Sequence, residues 1–164
     1  MRYLITILLF GGVGFGQDAT VTFYSTGSMG KALLHAEVTM GAYYKRPFFG
    51  FLFDGEKRLG LLQPGRFMTL HLPGGPHTFS PASAWSVKHP SKKVLLPLTL
   101  EQGKQYFVQL TQTTKGFMPF QHVTQVDCET ARQEASGTEP IKAKRVENGV
   151  RETLESAAYF PNCK

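Results

Sequence analysis

Apolar and polar residues alternate from Ala19 to Ser25, with Val21 and Phe23 on one side and Thr20, Thr22 and Tyr24 on the other. This is the period-2 pattern of a half-buried strand. Phe48 to Phe53 and Glu56 to Leu62 are two further β-rich runs separated by Asp54-Gly55. That dipeptide predicts a tight hairpin with Asp54 and Gly55 at its tip, because a type I′ turn needs positive φ at its central residues. Gln63-Pro64-Gly65 turns into Arg66 to Leu72, where Met68, Leu70 and Leu72 alternate with Phe67, Thr69 and His71. Pro73-Gly74-Gly75-Pro76 breaks that run, and a short strand through His77-Thr78-Phe79 leads into a polar loop, Ala82 to Lys93, that holds Trp85. Val94 to Leu100 reads as a strand whose Pro97 puts it at an edge or bulge, since proline cannot donate to a ladder. Glu101-Gln102-Gly103-Lys104 turns into Gln105 to Thr111, with Tyr106, Val108 and Leu110 on one face. Thr114-Lys115-Gly116 leads to a last strand, Phe117 to Val123. The expectation is an all-β, antiparallel sandwich of about seven strands. The stretch from residue 27 to residue 47 stays open, because Ala32 to Glu37 suits a helical turn or an irregular strand equally.

Past Val126 the pattern changes. Asp127 to Ala135 has few β formers and good helix formers, and Gly137 offers a stop, so one short helix is expected there. Thr138 to Lys164 is charged and thinly apolar, with Ile141, Val146, Leu154, Tyr159 and Phe160 as docking residues of a C-terminal extension. The predicted organisation is therefore a leader at 1–16, a β-sandwich at 17–126, and the helix with its extension at 127–164.

The leader is read from three parts: a positive tip at Met1-Arg2, an apolar run from Tyr3 through Phe10, and a small-residue end at Gly14-Phe15-Gly16. These are the parts of a bacterial signal peptide, cut before Gln17. As a helix even the about 14 residues from Tyr3 to Gly16 would reach only about 21 Å, against a hydrocarbon core of roughly 30 Å, so a stable membrane span is not expected. Export, to the periplasm or the outside of the cell, is the expected localisation. The formal charge of +6 includes Arg2, so the processed chain would carry +5. Basicity of this kind suits anionic partners, but nucleic acid is not expected for an exported chain. Both cysteines, Cys128 and Cys163, fall in the exported part, where oxidation is available, and a disulfide between them is expected to fasten the extension.

Ser28-Met29-Gly30-Lys31 matches the S-x-x-K pattern of penicillin-recognising acyl enzymes, but the S-D-N and K-T-G elements that such chemistry needs are absent, and a solvated loop serine accounts for it. Gly27 to Ala32 fails the phosphate-loop pattern at both ends, with Ser25 for the first glycine and Ala32 for the Mg²⁺ hydroxyl. His35, His71, His77, His89 and His122 show no metal-ligand spacing. His71 and His77 flank a proline-glycine turn across which two strands of a hairpin would bring them together. Lys142, Lys144, Arg145 and Arg151 are interleaved with Glu139, Glu147, Glu152 and Glu155, which reads as a mixed-charge solvated face. Trp85, Tyr43 and Tyr44 have the chemistry to stack on a sugar ring, although packing aromatics are commoner at a sandwich edge. No catalytic, cofactor-binding or metal-ligating residue is expected.

From Phe48 onward the chain resembles a bacterial family of short envelope domains of unknown function. In that family a strand ends in D-G, a v-G-x-L run follows, a P-G-x-H turn comes next, and a G-K-x-Y-Y-V strand closes. The matching residues are Phe53-Asp54-Gly55, Leu59-Gly60-Leu61-Leu62-Gln63-Pro64-Gly65, Pro73-Gly74-Gly75-Pro76-His77 and Gly103-Lys104-Gln105-Tyr106-Phe107-Val108. The first half of the pattern is similar to PEGA-type surface domains as well. The resemblance implies a prealbumin-like β-sandwich in the cell envelope and implies no catalytic residues. The expected function is a non-catalytic binding or structural module, whose partner would be an envelope protein or a cell-wall component. The alternatives are a small periplasmic hydrolase and a cell-wall glycan-binding module.

Overall fold

The computed structural model describes residues 18–26, 50–83, 86–115 and 118–147. In chain order the strands are β1 (Ala19–Ser25), β2 (Gly50–Asp54), β3 (Lys57–Leu62), β4 (Arg66–Leu72), β5 (Gly75–Ser83), β6 (Ser86–Pro90), β7 (Leu96–Leu100), β8 (Gln105–Lys115), β9 (Met118–Val126) and β10 (Glu139–Pro140). A helix, α1 (Cys128–Glu134), lies between the last two. One sheet runs β10-β4-β1-β8-β9, and the other runs β3-β2-β5-β6 with β7 also paired to β5. The all-β sandwich with one short helix is therefore the architecture. Its strands outnumber the seven or so expected, because β6 forms within the stretch that reads as a polar loop and β10 within the C-terminal extension. Two pairings are parallel, β1 with β8 and β10 with β4, and the other ladders among the described residues are antiparallel.

The alternation in β1 has an unusual outcome, since both of its faces are covered. Ala19, Val21 and Phe23 enter the main core with Met68, Leu70 and Leu72 of β4 and with Val108 and Leu110 of β8. Phe23 meets Phe79 of β5 edge to face, with centroids 5.0 Å apart, which joins the two sheets through their centre. On the opposite face Tyr24, Phe67 and Phe107 form a second cluster under Ala131 and Ala135 of the helix segment. Placing α1 there follows from its sequence: Asp127 caps it by accepting the Thr130 amide at 2.8 Å, and Ala131 and Ala135 share one face four residues apart.

Two expectations are corrected by register. Asp54 still belongs to the ladder, opposite Lys57, so the hairpin turns on Gly55 and Glu56 rather than on Asp54 and Gly55. Gly55 takes φ +56°. A bulge at Leu59, between the pairs Leu52–Gly60 and Phe53–Arg58, then restores the inward direction of β3. The strands flanking the proline-glycine turn, β4 and β5, belong to different sheets. His71 and His77 consequently do not face each other across a hairpin. His71 Nδ1 lies 3.3 Å from Thr20 Oγ1, and His77 meets Asp54. Pro97 does stand on an edge, because among the described residues β7 pairs with β5 alone. The open stretch at residues 27–47 lies outside the described residues.

The extension contributes to the fold as far as residue 147. β10 adds to the edge of β4, with the Glu139 amide donating to the Gly65 carbonyl at 3.0 Å and the Ile141 amide to the Phe67 carbonyl at 2.9 Å. Ile141 and Val146 are buried in the main core. Val146 then bridges Gly60 at the edge of β3, and the Glu147 amide donates to the Leu59 carbonyl at 3.1 Å. Residues 139–147 are thus a strap across one side of the sandwich, from an edge of the first sheet to an edge of the second. Gly60 permits its close approach, since a Cβ there would sit 3.1 Å from the Arg145 carbonyl oxygen and from Met68 Sδ.

Candidate functional site

The most concentrated polar chemistry lies where the tip of β2 meets the start of β5. Asp54 pairs with Phe79 in the ladder, and His77, two residues before Phe79, shares its face. His77 Nδ1 stands 2.6 Å from Asp54 Oδ2, while Asp54 Oδ1 accepts the Thr78 amide at 3.2 Å. The other ring nitrogen, Nε2, lies 2.9 Å from the Pro73 carbonyl. The imidazole stacks on Phe79 with centroids 5.8 Å apart and planes within 11°. The carboxylate and the carbonyl each stand within hydrogen-bond distance of one ring nitrogen, so both nitrogens are engaged within the fold. An Asp–His pair acts as an acid–base unit only if the far nitrogen is free to take a proton from a nucleophile. Here that nitrogen is spent on the turn at Pro73. The nearby hydroxyl of Ser80 is buried without a partner, on the opposite face of β5 from His77. The arrangement fastens the β4–β5 turn to the tip of the β2–β3 hairpin.

A second polar group lies on the helix-covered face of the first sheet. The Tyr24 hydroxyl donates to Glu134 Oε2 at 2.6 Å, and the Gln109 amide donates to the same oxygen. Burial, and then the neighbouring Glu134 carboxylate, push the Tyr24 phenol far above its ordinary pKa. Beside it Thr22 and Thr69 share a buried hydrogen bond of 3.0 Å across β1 and β4. These groups tie the helix and the strands together. The Thr130 amide and hydroxyl lower the exposed Asp127 carboxyl, as an N-cap should.

A small pocket between the sheets is lined by Ser25, Gly50, Leu62, Leu110, Thr111 and Gln121, and it has room for about one water. The Oε1 atom of Gln121 is buried without a partner. That space is far below what a small-molecule substrate requires. Among the described residues, no group of three or more His, Cys, Asp or Glu side chains could hold a metal ion. Among the same residues, no helix is long and apolar enough to cross a membrane.

Of the residues singled out in the sequence, Cys128 opens α1 and packs against the Tyr24–Phe67–Phe107 cluster. Its expected partner Cys163 lies outside the described residues, as do Ser28, Lys31, Tyr43, Tyr44 and Trp85. The Asp54–His77 pair is not legible in the sequence pattern. Each member was visible only as part of a turn motif, and the signal available was that both motifs place a polar side chain just inside a strand end. Tyr106, read as a core aromatic, also has a polar role, since its hydroxyl accepts the Glu101 amide at 2.9 Å and closes the turn before β8. No family model, curated protein or solved structure matches the chain.

Proposed function

We propose that this chain is an exported envelope or secreted β-sandwich module that works by binding or structural association rather than by catalysis. Export rests on the leader pattern of Met1 to Gly16 and on the pair of cysteines beyond it. The resemblance of the D-G, v-G-x-L, P-G-x-H and G-K-x-Y order to bacterial envelope domains supports the same setting, with an envelope protein or a cell-wall component as partner. The observation that carries the non-catalytic reading is the saturation of His77: its two nitrogens are engaged by Asp54 and Pro73, at 2.6 and 2.9 Å. Such a histidine supports a turn, with both of its ring nitrogens already taken up inside the fold.

Fractionation of cells expressing the full chain, with mass spectrometry of the product, tests the first half. Recovery outside the cytoplasm with Gln17 at the N-terminus is expected, and a cytoplasmic product that keeps residues 1–16 overturns it. Pull-down from native envelope then identifies the partner. For the second half, hydrolysis of an ester, amide or glycoside panel that disappears in Ser28→Ala or His77→Gln, with folding intact, would overturn the non-catalytic reading.

A further inference from the structure

We propose that the turn from Ser91 to Leu95, between β6 and β7, is a docking surface for an anionic phospholipid bilayer. The charge of the chain is unevenly placed. Residues 1–100 carry ten Lys and Arg against four Asp and Glu, whereas residues 101–164 carry eight of each. Lys57 to Leu100, which supplies β3 through β7, contains six cations and no carboxylate. Two of the six are neutralised by the strap, Arg58 by Glu147 and Arg66 by Glu139. Lys92 and Lys93 are exposed, and neither makes an ion pair with a described residue. They stand side by side on one turn.

That turn is held in place by its own hydrogen bonds. The Ser91 amide donates to the Pro81 carbonyl at 2.8 Å, which anchors the turn to β5. Ser91 Oγ then accepts the amides of Lys93 and Val94 at 3.3 and 3.1 Å. Val94 and Leu96 pack against the core, so Leu95 between them is turned outward and is 53% exposed. Among the described residues it is the large hydrophobic side chain recorded as exposed. Two ammonium groups beside a bare leucine match the two layers of an anionic membrane surface. Lysines meet the phosphates and lie their stems along the interface, while the leucine enters the acyl boundary. A soluble polyanion would use the lysines and leave Leu95 in water. The envelope reading supplies the setting in which the protein meets lipid, but the binding itself is a property of the turn.

Co-sedimentation of the purified full chain with phosphatidylcholine vesicles, with and without phosphatidylglycerol, tests this. The turn variants share the apolar N-terminal run and every other cation with the parent, so the part of the anionic excess that they lose reports the turn. Excess binding is expected to fall about fivefold for each of Lys92→Ala and Lys93→Ala, and to weaken with salt. Leu95→Ser is expected to reduce it further at every salt concentration. Thermal melts of these surface variants should match the parent. Equal binding to both vesicle types, or an excess indifferent to the lysine variants, overturns the proposal. An excess that is lost in the lysine variants but unchanged in Leu95→Ser, and fully competed by inorganic polyphosphate, assigns the turn to a soluble polyanion and overturns the bilayer. A cytoplasmic product in the fractionation would overturn export without touching this result, and absence of vesicle binding leaves export standing.

Discussion

His77 donates from one side of its ring to Asp54, at 2.6 Å, and presents the other to the Pro73 carbonyl, at 2.9 Å, so a single imidazole joins two turns that belong to different strand pairs. The side chains of His77 and Asp54 are only 10% and 20% exposed, so the pair is poorly screened. Hydrogen bonds to a charged group contribute roughly 1.5 to 3 kcal/mol. His77→Ala should therefore lower unfolding free energy by about 2 kcal/mol, and Asp54→Ala by a similar amount. In the double variant the loss should fall short of the sum, because both substitutions remove the same contact. Urea unfolding of the four proteins measures the coupling, and strict additivity would show that the pair is not a clasp.

Tyr24→Phe removes the hydroxyl that donates to Glu134 and should cost about 1 kcal/mol near neutral pH. The pH dependence has a definite sign. The phenol is raised in the folded state by burial and by Glu134, so folding favours its neutral form. That contribution is complete below the unfolded phenol value of about 10 and is lost as pH rises beyond it. The stability gap between parent and Tyr24→Phe should shrink above about pH 10, read from denaturant midpoints across that range.

Gly55 sits at φ +56° with open space where a Cβ would go, so any penalty there is conformational rather than steric crowding. Gly55→Val should lower stability by roughly 1 to 2 kcal/mol, and Gly55→Asn by clearly less, because asparagine tolerates left-handed backbone. Equal melting temperatures for the two variants would contradict the observed turn.

The strap offers a packing test. Ile141 is 6% exposed and lies in the main core, so Ile141→Ala should cost roughly 2 to 4 kcal/mol. Removing residues 139–164 should do more than destabilise, since it uncovers the edges of β4 and β3 together. Exposed edges pair with other chains, and concentration-dependent aggregation in light scattering is the expected result.

The disulfide proposed between Cys128 and Cys163 predicts a monomer lighter than its reduced form by two hydrogens, with the two peptides linked after digestion. Alkylation of both thiols in unfolded, unreduced protein would rule it out. The chain-entropy contribution for a loop of this length is roughly 3 to 4 kcal/mol. Because residues 139–147 also dock through their own amide hydrogen bonds and the burial of Ile141 and Val146, Cys128→Ser should leave both side chains buried, as hydrogen exchange of the Ile141 and Glu147 amides can report.

Local pattern alone determined a good deal of this protein. Alternation located β1, β4 and β8 and sorted their inward residues, because a strand with one face in a core must repeat every two positions. The Asp127 cap and the alanine spacing located α1, because orphan amides and an apolar stripe are local requirements. Proline at position 97 marked an edge for the same reason, as a missing donor is a property of one residue. What the tertiary structure decided was everything that depends on which strand lies beside which. Placing β4 and β5 in different sheets separated His71 from His77 and gave each a partner, Thr20 and Asp54, from a distant part of the sequence. Residues 139–147 look like a charged tail when read alone, because β10 is only two residues long and Ile141 and Val146 are isolated apolar positions. They become structure only because two finished sheet edges present unpaired carbonyls and apolar side chains at the right separation, and no window of sequence contains both edges.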